Sequence, residues 1–123
     1  MLANELRIGN LIQHHGPLCN HIIKVDIEIL SKIIREPESD FFNPIKITEE
    51  LLLKLGFYRF ENTLLKGIKE SDVYFQYEIG SNTVCVLSSD GCDVSLVRQV
   101  INYIHEIENL YYAISKTEIE YVK

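Results

Sequence analysis

Several features that define other protein classes are missing from this sequence. It has no apolar run of roughly 18 residues, and no basic segment followed by an apolar stretch at its N-terminus, so neither a membrane-spanning helix nor a secretion signal is expected. Its three cysteines, Cys19, Cys85 and Cys92, lack C-x-x-C spacing, which argues against a disulfide framework or a zinc knuckle. We therefore expect a cytoplasmic protein with reduced thiols.

Basic residues are also scarce. The 123-residue chain carries 12 basic and 18 acidic residues, a formal net charge of -6, with 46% hydrophobic residues. This composition is typical of one globular domain, spanning residues 1–123. The negative average field repels phosphate, which disfavours direct nucleic-acid binding and favours a partner with a basic surface. Gly-rich phosphate-binding loops are absent from the sequence as well.

The N-terminal part of the chain is predicted to be β structure. The segment L-R-I-G-N-L-I at residues 6–12 alternates at first and breaks at Gly9-Asn10, which indicates a short strand with a bulge or a tight bend. After the turn H-H-G-P at residues 14–17, charged residues alternate with an apolar set: Ile23, Val25, Ile27 and Ile29. A period of two predicts a strand with these four side chains in the core.

A short helix is predicted at about residues 48–55. Thr48 can accept a backbone N–H as the N-cap, and Glu49 and Glu50 fall at the positive end of the helix dipole. Gly56 can adopt the left-handed conformation that often ends a helix.

Residues 57–92 are predicted to return to β structure. Short segments rich in aromatic and branched residues are separated by turn sequences such as E-N and G-S-N. Val73–Ile79 and Thr83–Ser88 should pair as a hairpin about Gly80. One face of its first strand should carry Val73, Phe75, Tyr77 and Ile79.

A long amphipathic helix is predicted at about residues 94–115. Its apolar stripe, at 100° per residue, comprises Val97, Val100, Ile101, Ile104, Ile107, Tyr111 and Ile114. Glu108 falls inside this stripe, so it needs a tyrosine hydroxyl, an arginine or a backbone amide as partner, or its pKa will rise. Together the elements predict an α+β fold, with a small, mostly antiparallel sheet or partly open barrel packed by the two helices.

Three blocks of the sequence, at its start, middle and end, carry a resemblance. They are L-R-I-G-N at residues 6–10, N-P-I-K-I-T-E-E-L-L-L-K-L-G-F at 43–57 and Y-I-H-E-I-E-N-L-Y-Y-A-I at 103–114. In that order they are similar to LRIGN, PIPLTEEWLLKFGF and YVHQLQNLYFAL, the pattern of a family of small uncharacterised proteins from bacteriophages and integrated mobile elements. Leu51 stands where that pattern has tryptophan. The resemblance implies a phage or prophage product in a bacterial host cell.

We predict neither a catalytic site nor a metal site. His14, His15, Cys19 and His21 lie within eight residues, but the spacing fits no zinc motif and a Gly-Pro turn intervenes, so we expect a loop cluster without metal. Cys85 lies in an apolar strand, where a thiol is a packing group. The acidic pairs are explained by helix starts, a polar loop and a strand face. We therefore expect no enzyme activity and no cofactor.

Acidic and aromatic residues form the candidate partner-binding set. The acidic members are Asp26, Glu28, Glu36, Glu38 and Asp40. If folding brings them together, they form a patch that can bind the Lys/Arg-rich channel of a nucleic-acid enzyme. Otherwise they are ordinary solvated surface residues. The aromatic and imidazole members, expected at the rim or as hot spots, are Tyr74, Tyr103, His105 and Tyr112.

Three hypotheses about function result. The leading one is a non-catalytic phage or prophage protein that binds a host protein, in its most specific form an inhibitor of a defence nuclease such as a CRISPR effector. The second is a phage accessory or structural protein that forms a homo-oligomer through the long helix. The third is a nucleic-acid-binding module in the N-terminal half, which a salt-dependent shift with short RNA or DNA would reveal. No membrane partner is expected.

Overall fold

The predicted α+β class is confirmed, with two antiparallel sheets and with neither closed into a barrel. The computed structural model describes residues 5–15, 20–36, 41–68, 71–88 and 94–121. Within these ranges the elements in chain order are β1 (Leu11–His15), β2 (Asn20–Lys24), α1 (Ile27–Arg35), β3 (Phe42–Asn43), α2 (Glu49–Lys54), β4 (Tyr58–Phe60), β5 (Thr63–Gly67), β6 (Val73–Glu78), β7 (Thr83–Ser88), β8 (Val94–Val100) and α3 (Ile104–Ser115).

The chain divides into two compact units. Unit 1 combines Met1–Lys46 with Tyr103–Glu118, and unit 2 combines Ile47–Asn102 with Ile119–Lys123. Unit 1 therefore holds the first sheet with α1 and α3, and unit 2 holds the second sheet with α2.

The sheet of unit 1 has the order β2-β1-β3, with both pairings antiparallel. Of the two alternatives at Gly9, the structure has the tight bend and not the bulge, and it lies before β1, so the first strand begins only at Leu11. Gly9 adopts φ +100°, and its N–H donates to the carbonyl of Val25 at 2.8 Å. His14 and His15 lie in β1 rather than in a turn, and residues 16–19 fall outside the described ranges.

The strand predicted through Ile29 is wrong beyond Lys24, because α1 occupies Ile27–Arg35. Asp26 is its N-cap, and the Asp26 carboxylate accepts the N–H of Ile29 at 2.8 Å. The core therefore includes Val25 but not Ile27, which is 73% exposed. On α1 only Ile33 is buried, in a cluster with Ile12 and Val25. Ile29 and Leu30 are partly buried and pack against this cluster at helical spacing, as does Ile23 of β2.

The predicted C-terminal helix is too long at its start. Residues 94–100 form β8, and α3 begins only at Ile104. Branched residues such as Val94 and Val97 favour a strand, and this preference prevailed over their helical spacing. Glu106 then accepts the N–H of Tyr103 at 3.1 Å, which marks the helix start. Ile104, Ile107 and Tyr111 are buried as predicted, whereas Val100 is exposed.

Residues 47–88 of unit 2 follow the sequence prediction closely. Thr48 caps α2 by accepting the N–H of Leu51 at 3.2 Å, and Gly56 adopts φ +94° after the helix. The sheet order is β4-β5-β6-β7-β8, and β6 pairs with β7 as the predicted hairpin. Ile79 lies beyond β6 and is exposed, contrary to the prediction. The buried core of the unit includes Leu52, Leu55, Phe57, Leu64, Phe75, Tyr77, Val84 and Val86.

Candidate functional site

The first and last blocks that carry the family resemblance lie against each other in unit 1. The guanidinium of Arg7 stands 4.2 Å from the centre of the Tyr112 ring. The same group forms a two-pronged ion pair with the carboxylate of Glu118, in which the Nη2 contact is 3.1 Å. A planar cation can stack on an aromatic ring and bind a carboxylate at its edge at the same time. Arg7 thus connects the N-terminal segment to two points of the C-terminal one.

Glu108 is the buried centre of this region. Its side chain is 2% exposed, and its Oε1 accepts the N–H of Leu11 at 2.8 Å. Burial raises the pKa of Glu108 from 4.5 to about 7, opposed by the Leu11 amide, by Arg7 and by Lys24, and reinforced by Glu118. The backbone amide is one of the three partners expected from the sequence. Burial therefore favours the neutral form of this carboxyl over the charged form.

An asparagine pair completes the connection. The side-chain amide of Asn10 donates to the Asn109 side chain at 2.8 Å, and the Asn10 oxygen accepts the N–H of Arg7 at 2.5 Å. Asn109 in turn donates to the carbonyl of Glu5 at 3.2 Å. We call the whole set the polar cluster: Arg7, Asn10, Glu108, Asn109, Tyr112 and Glu118. Asn10 and Glu108 are buried, and the cluster joins α3 to the N-terminal segment.

His105 does not lie on the surface, where the sequence placed it. It is 3% exposed, and its ring stacks on Tyr103 with 5.8 Å between the ring centres. Burial lowers the pKa of His105, against the opposing charges of Glu106 and Glu5. Its Nδ1 has no hydrogen-bond partner in the described part of the chain. His105 is therefore a packing residue, while Tyr112 beside Arg7 remains partly exposed.

The three described residues of the predicted acidic set are spread along α1. Asp26 and Glu36 flank the two ends of α1, about 15 Å apart at 1.5 Å per residue. Between them Glu28 faces the Lys32 amine at 3.7 Å, so part of its charge is neutralised. The remaining acids of the predicted set, Glu38 and Asp40, lie outside the described residues.

An open cleft in unit 1 has the opposite charge character. Its volume is about 470 Å³, and it is lined by His14, Lys32, Arg35, Glu36, Phe41 and Phe42. His14 and Phe42 are partners across β1 and β3, and their rings stack with centres 5.2 Å apart. Lys32 and Arg35 come from the last turn of α1, where cations offset the helix dipole. Two cations and three rings meet here in a chain that is acidic overall.

Unit 2 presents aromatic residues on the edge strand β4. Tyr58 and Phe60 are each 57% exposed and point to the same face of the sheet. Leu65 lies opposite Tyr58 on β5 and is partly buried. Tyr74, predicted from the sequence as a binding residue, is half-buried on this face at the other end of the strands. We call Tyr58, Phe60 and Leu65 the aromatic edge.

Sequence reasoning missed both of these surfaces. Residues 57–60 lie in the part of the chain predicted to be β structure, but nothing in a strand pattern tells which strand will be at the edge. The cleft residues were missed because Lys32 and Phe41 come together only once α1 replaces the predicted strand. A signal was present at Asp26, which is a preferred N-cap residue before an apolar segment with helical spacing.

Comparison with known proteins identifies no relative. The chain matches no protein-family model, no curated protein and no solved structure. Within the described ranges, no three His, Cys, Asp or Glu side chains are grouped so as to hold a metal. His14 and His21 face each other across β1 and β2, and Cys19 lies outside the described residues. Among the helices described, none is both long and apolar enough to cross a membrane.

Proposed function

We propose that this chain is a non-catalytic binding protein that acts on another protein through the aromatic edge of unit 2. The observation that carries the proposal is the exposure of Tyr58 and Phe60, side by side on one face of an edge strand. Aromatic residues contribute most to protein interfaces when a partner covers them. An edge strand also offers backbone N–H and C=O groups that a partner can pair with.

The aromatic edge is held in place before any partner arrives. On the other face of β4, Arg59 forms an ion pair with Glu49 of α2 at 2.6 Å. Thr63 donates its hydroxyl hydrogen to the carbonyl of Phe60 at 2.8 Å, closing the turn between β4 and β5. Binding therefore requires little ordering of this strand, which favours affinity.

Charge around the aromatic edge favours a basic partner. Glu61 follows Phe60 in the turn, and Glu78 lies in line with Phe60 across the sheet through Thr63. An aromatic centre with a rim of carboxylates complements a Lys/Arg-rich surface. The net charge of -6 adds a long-range attraction for such a partner.

In its most specific form the proposal is a phage or prophage inhibitor of a host defence nuclease, such as a CRISPR effector. Nucleic-acid-processing enzymes carry the basic channels that an acidic, aromatic surface fits. The resemblance of the three sequence blocks to phage and mobile-element proteins supports this context. Blocking such a channel requires binding alone and no chemistry from the inhibitor.

The test combines capture and inhibition. The tagged full chain is used to capture partners from bacterial host lysate, and purified CRISPR effectors from that host are assayed for cleavage with and without the chain. We expect capture of a basic protein and loss of cleavage. The double variant Tyr58→Ala/Phe60→Ala should weaken binding by more than about 30-fold, as expected for removal of hot-spot side chains.

A matched control separates the interface from general stickiness. The double variant Ile27→Ala/Ile34→Ala removes two isoleucines of α1 in unit 1 that are at least as exposed, and it should bind as the wild type does. If the Tyr58/Phe60 variant captures the same partner with unchanged affinity, the aromatic edge is not the interface. If the wild-type chain leaves cleavage by every tested effector unchanged, the nuclease-inhibitor form is rejected.

A further inference from the structure

The geometry points to a second binding site, in the cleft of unit 1, for a nucleoside monophosphate unit, either free or at the end of a single strand. The starting observation is Phe41, which is 58% exposed directly before β3. It lines a cleft together with Phe42, whose ring already stacks on His14. An exposed phenylalanine beside a second ring is a platform on which a planar base can stack.

The cations of the cleft provide the second half of the ligand's chemistry. Arg35 makes no ion pair with any residue in the described ranges, and Lys32 makes only the long contact of 3.7 Å with Glu28. Both groups come from one helical turn, so they lie on the same side of the cleft. An arginine fork and a lysine amine are the usual protein ligands of a phosphate group.

Glu36 distinguishes a nucleotide from a simple polyanion. Its carboxylate also lines the cleft, where it repels a ligand that is negative throughout. The carboxylate can instead accept hydrogen bonds, and the hydroxyl groups of ribose or the exocyclic amine of a base can donate them. Among the described lining residues, the rings, the two cations and the Glu36 carboxylate match an aromatic monoanion or dianion with neutral donors.

Size and overall charge set the length of ligand that fits. A volume of about 470 Å³ lies in the range of small-molecule sites, sufficient for one nucleotide. The net charge of -6 opposes the approach of a long phosphate chain. The local cations thus act on a ligand with one phosphate group, and additional phosphates gain little.

The test is isothermal titration calorimetry of the full chain with a set of fragments: adenosine 5′-monophosphate, adenosine, ribose 5-phosphate and inorganic phosphate. We expect adenosine 5′-monophosphate to bind at least about 10-fold more tightly than any fragment, because stacking and phosphate contacts both contribute. If inorganic phosphate binds as well as the nucleotide, or if no probe binds at about 1 mM, the inference is overturned.

Two variants assign the binding to this cleft. Phe41→Ala should weaken nucleotide binding by roughly 10-fold through lost stacking, and Arg35→Gln by roughly 10-fold through a lost charged hydrogen bond. The matched controls are Ile34→Ala, an exposed α1 residue that does not line the cleft, and Lys54→Gln, a cation of α2. Equal losses in the controls would overturn the assignment. Circular dichroism melting confirms that each variant is folded.

A further arm separates the two sources of the ligand. A 5′-phosphorylated tetranucleotide is titrated beside its unphosphorylated counterpart. Binding of the phosphorylated strand that is about 10-fold tighter than that of the mononucleotide identifies a strand end as the ligand, whereas equal affinity identifies the free nucleotide. Saturation-transfer NMR then shows whether the base protons contact the protein. A negative result in these titrations does not bear on the proposed interface at the aromatic edge of unit 2, because the Tyr58/Phe60 variant tests that surface separately.

Discussion

The backbone N–H of Leu11, at the start of β1, donates to the buried carboxylate of Glu108 in α3 at 2.8 Å. The two residues are 97 positions apart in the chain, so the bond joins the beginning of the described sequence to its last helix. Beside it, Asn10 and Asn109 form a side-chain hydrogen bond at 2.8 Å. The stability of a buried carboxyl with one backbone donor depends on whether the carboxyl is protonated.

Replacing Glu108 by glutamine should raise stability at alkaline pH. Burial raises the pKa of Glu108 from 4.5 to about 7. Between these two pH values the folded state therefore keeps a proton that the unfolded state has lost. The stabilising contribution of the group is full below about pH 4.5 and disappears as the pH rises through about 7, by at most about 3 kcal/mol. The glutamine side chain keeps an acceptor for the Leu11 amide and carries no charge.

The measurement is urea unfolding of wild type and Glu108→Gln at pH 5 and pH 8. The two proteins should be similar at pH 5, and the variant should be more stable at pH 8. His105 acts in the opposite direction, since burial lowers its pKa, but both proteins contain it and its effect cancels in the comparison. An identical pH dependence of the two proteins would show that Glu108 does not titrate in this range.

Replacing Gly9 by alanine should destabilise unit 1 for two separable reasons. Gly9 adopts φ +100°, which costs a residue with a side chain about 1 to 2 kcal/mol. An added Cβ would also lie 3.3 Å from the Glu118 carboxylate. Thermal unfolding should therefore show a larger loss for Gly9→Ala in the wild-type background than in Glu118→Ala, where only the backbone contribution remains. Equal losses of stability in both backgrounds would show that the contact between the added Cβ and Glu118 makes no contribution.

Replacing Glu61 by glycine should stabilise the turn between β4 and β5. Glu61 adopts φ +55°, a conformation that glycine reaches without steric cost. The relieved strain exceeds the entropy that glycine adds to the unfolded chain, for a net gain of about 0.5 to 1 kcal/mol. Glu61→Ala, which loses the same carboxylate without relieving the backbone, should gain nothing in chemical unfolding, and a gain there would assign the effect to charge.

The opposite sign is expected at Asn82, a second non-glycine residue with positive φ in a described turn of this sheet. Asn82 adopts φ +53°, and its side-chain oxygen accepts the hydroxyl of the buried Tyr77 at 2.8 Å. Asn82→Gly should therefore destabilise the protein by about 1 kcal/mol, since the Tyr77 hydroxyl loses its acceptor.

Removing the cap of α1 should distinguish a helix from the strand that the sequence pattern suggests. Asp26→Ala loses the acceptor for the Ile29 N–H and should cost about 1 kcal/mol in urea unfolding, while Asp26→Ser should retain most of the stability. The control is Glu28→Ala, an exposed first-turn residue paired loosely with Lys32, for which a loss below about 0.5 kcal/mol is expected. A cost at Glu28 equal to that at Asp26 would contradict a specific capping role.

The sequence predicts those elements whose ends are determined by local chemistry. Thr48 and Gly56 define α2 from their own side chains, and the G-S-N turn defines the β6/β7 hairpin. The spacing of apolar residues gave the wrong element where it fits both a strand and a helix. The residues from Ile23 to Ile33 satisfy both a period of two and helical spacing, and only the Asp26 cap decides between them.

At the site, the sequence indicates an unusual side chain but not the partner that it meets. Glu108 was recognised because a carboxylate in an apolar stripe is anomalous within its own helix, whatever surrounds it. Its donor, Leu11, contributes a backbone amide, which no side-chain pattern reveals. Exposure of Tyr58 and Phe60 follows from the position of β4 in the strand order, a property of the assembled sheet and not of the strand.

The division of unit 1 into two chain segments has a consequence for folding on the ribosome. Its sheet is synthesised first, but α3 follows only after the intervening residues 47–102 of unit 2. The Leu11 amide and the Asn10 side chain therefore lack their partners until Glu108 and Asn109 leave the exit tunnel. Closing so long a loop makes completion of unit 1 a late, non-local event, and a nascent chain arrested before residue 103 should be a preferred substrate for chaperones and proteases.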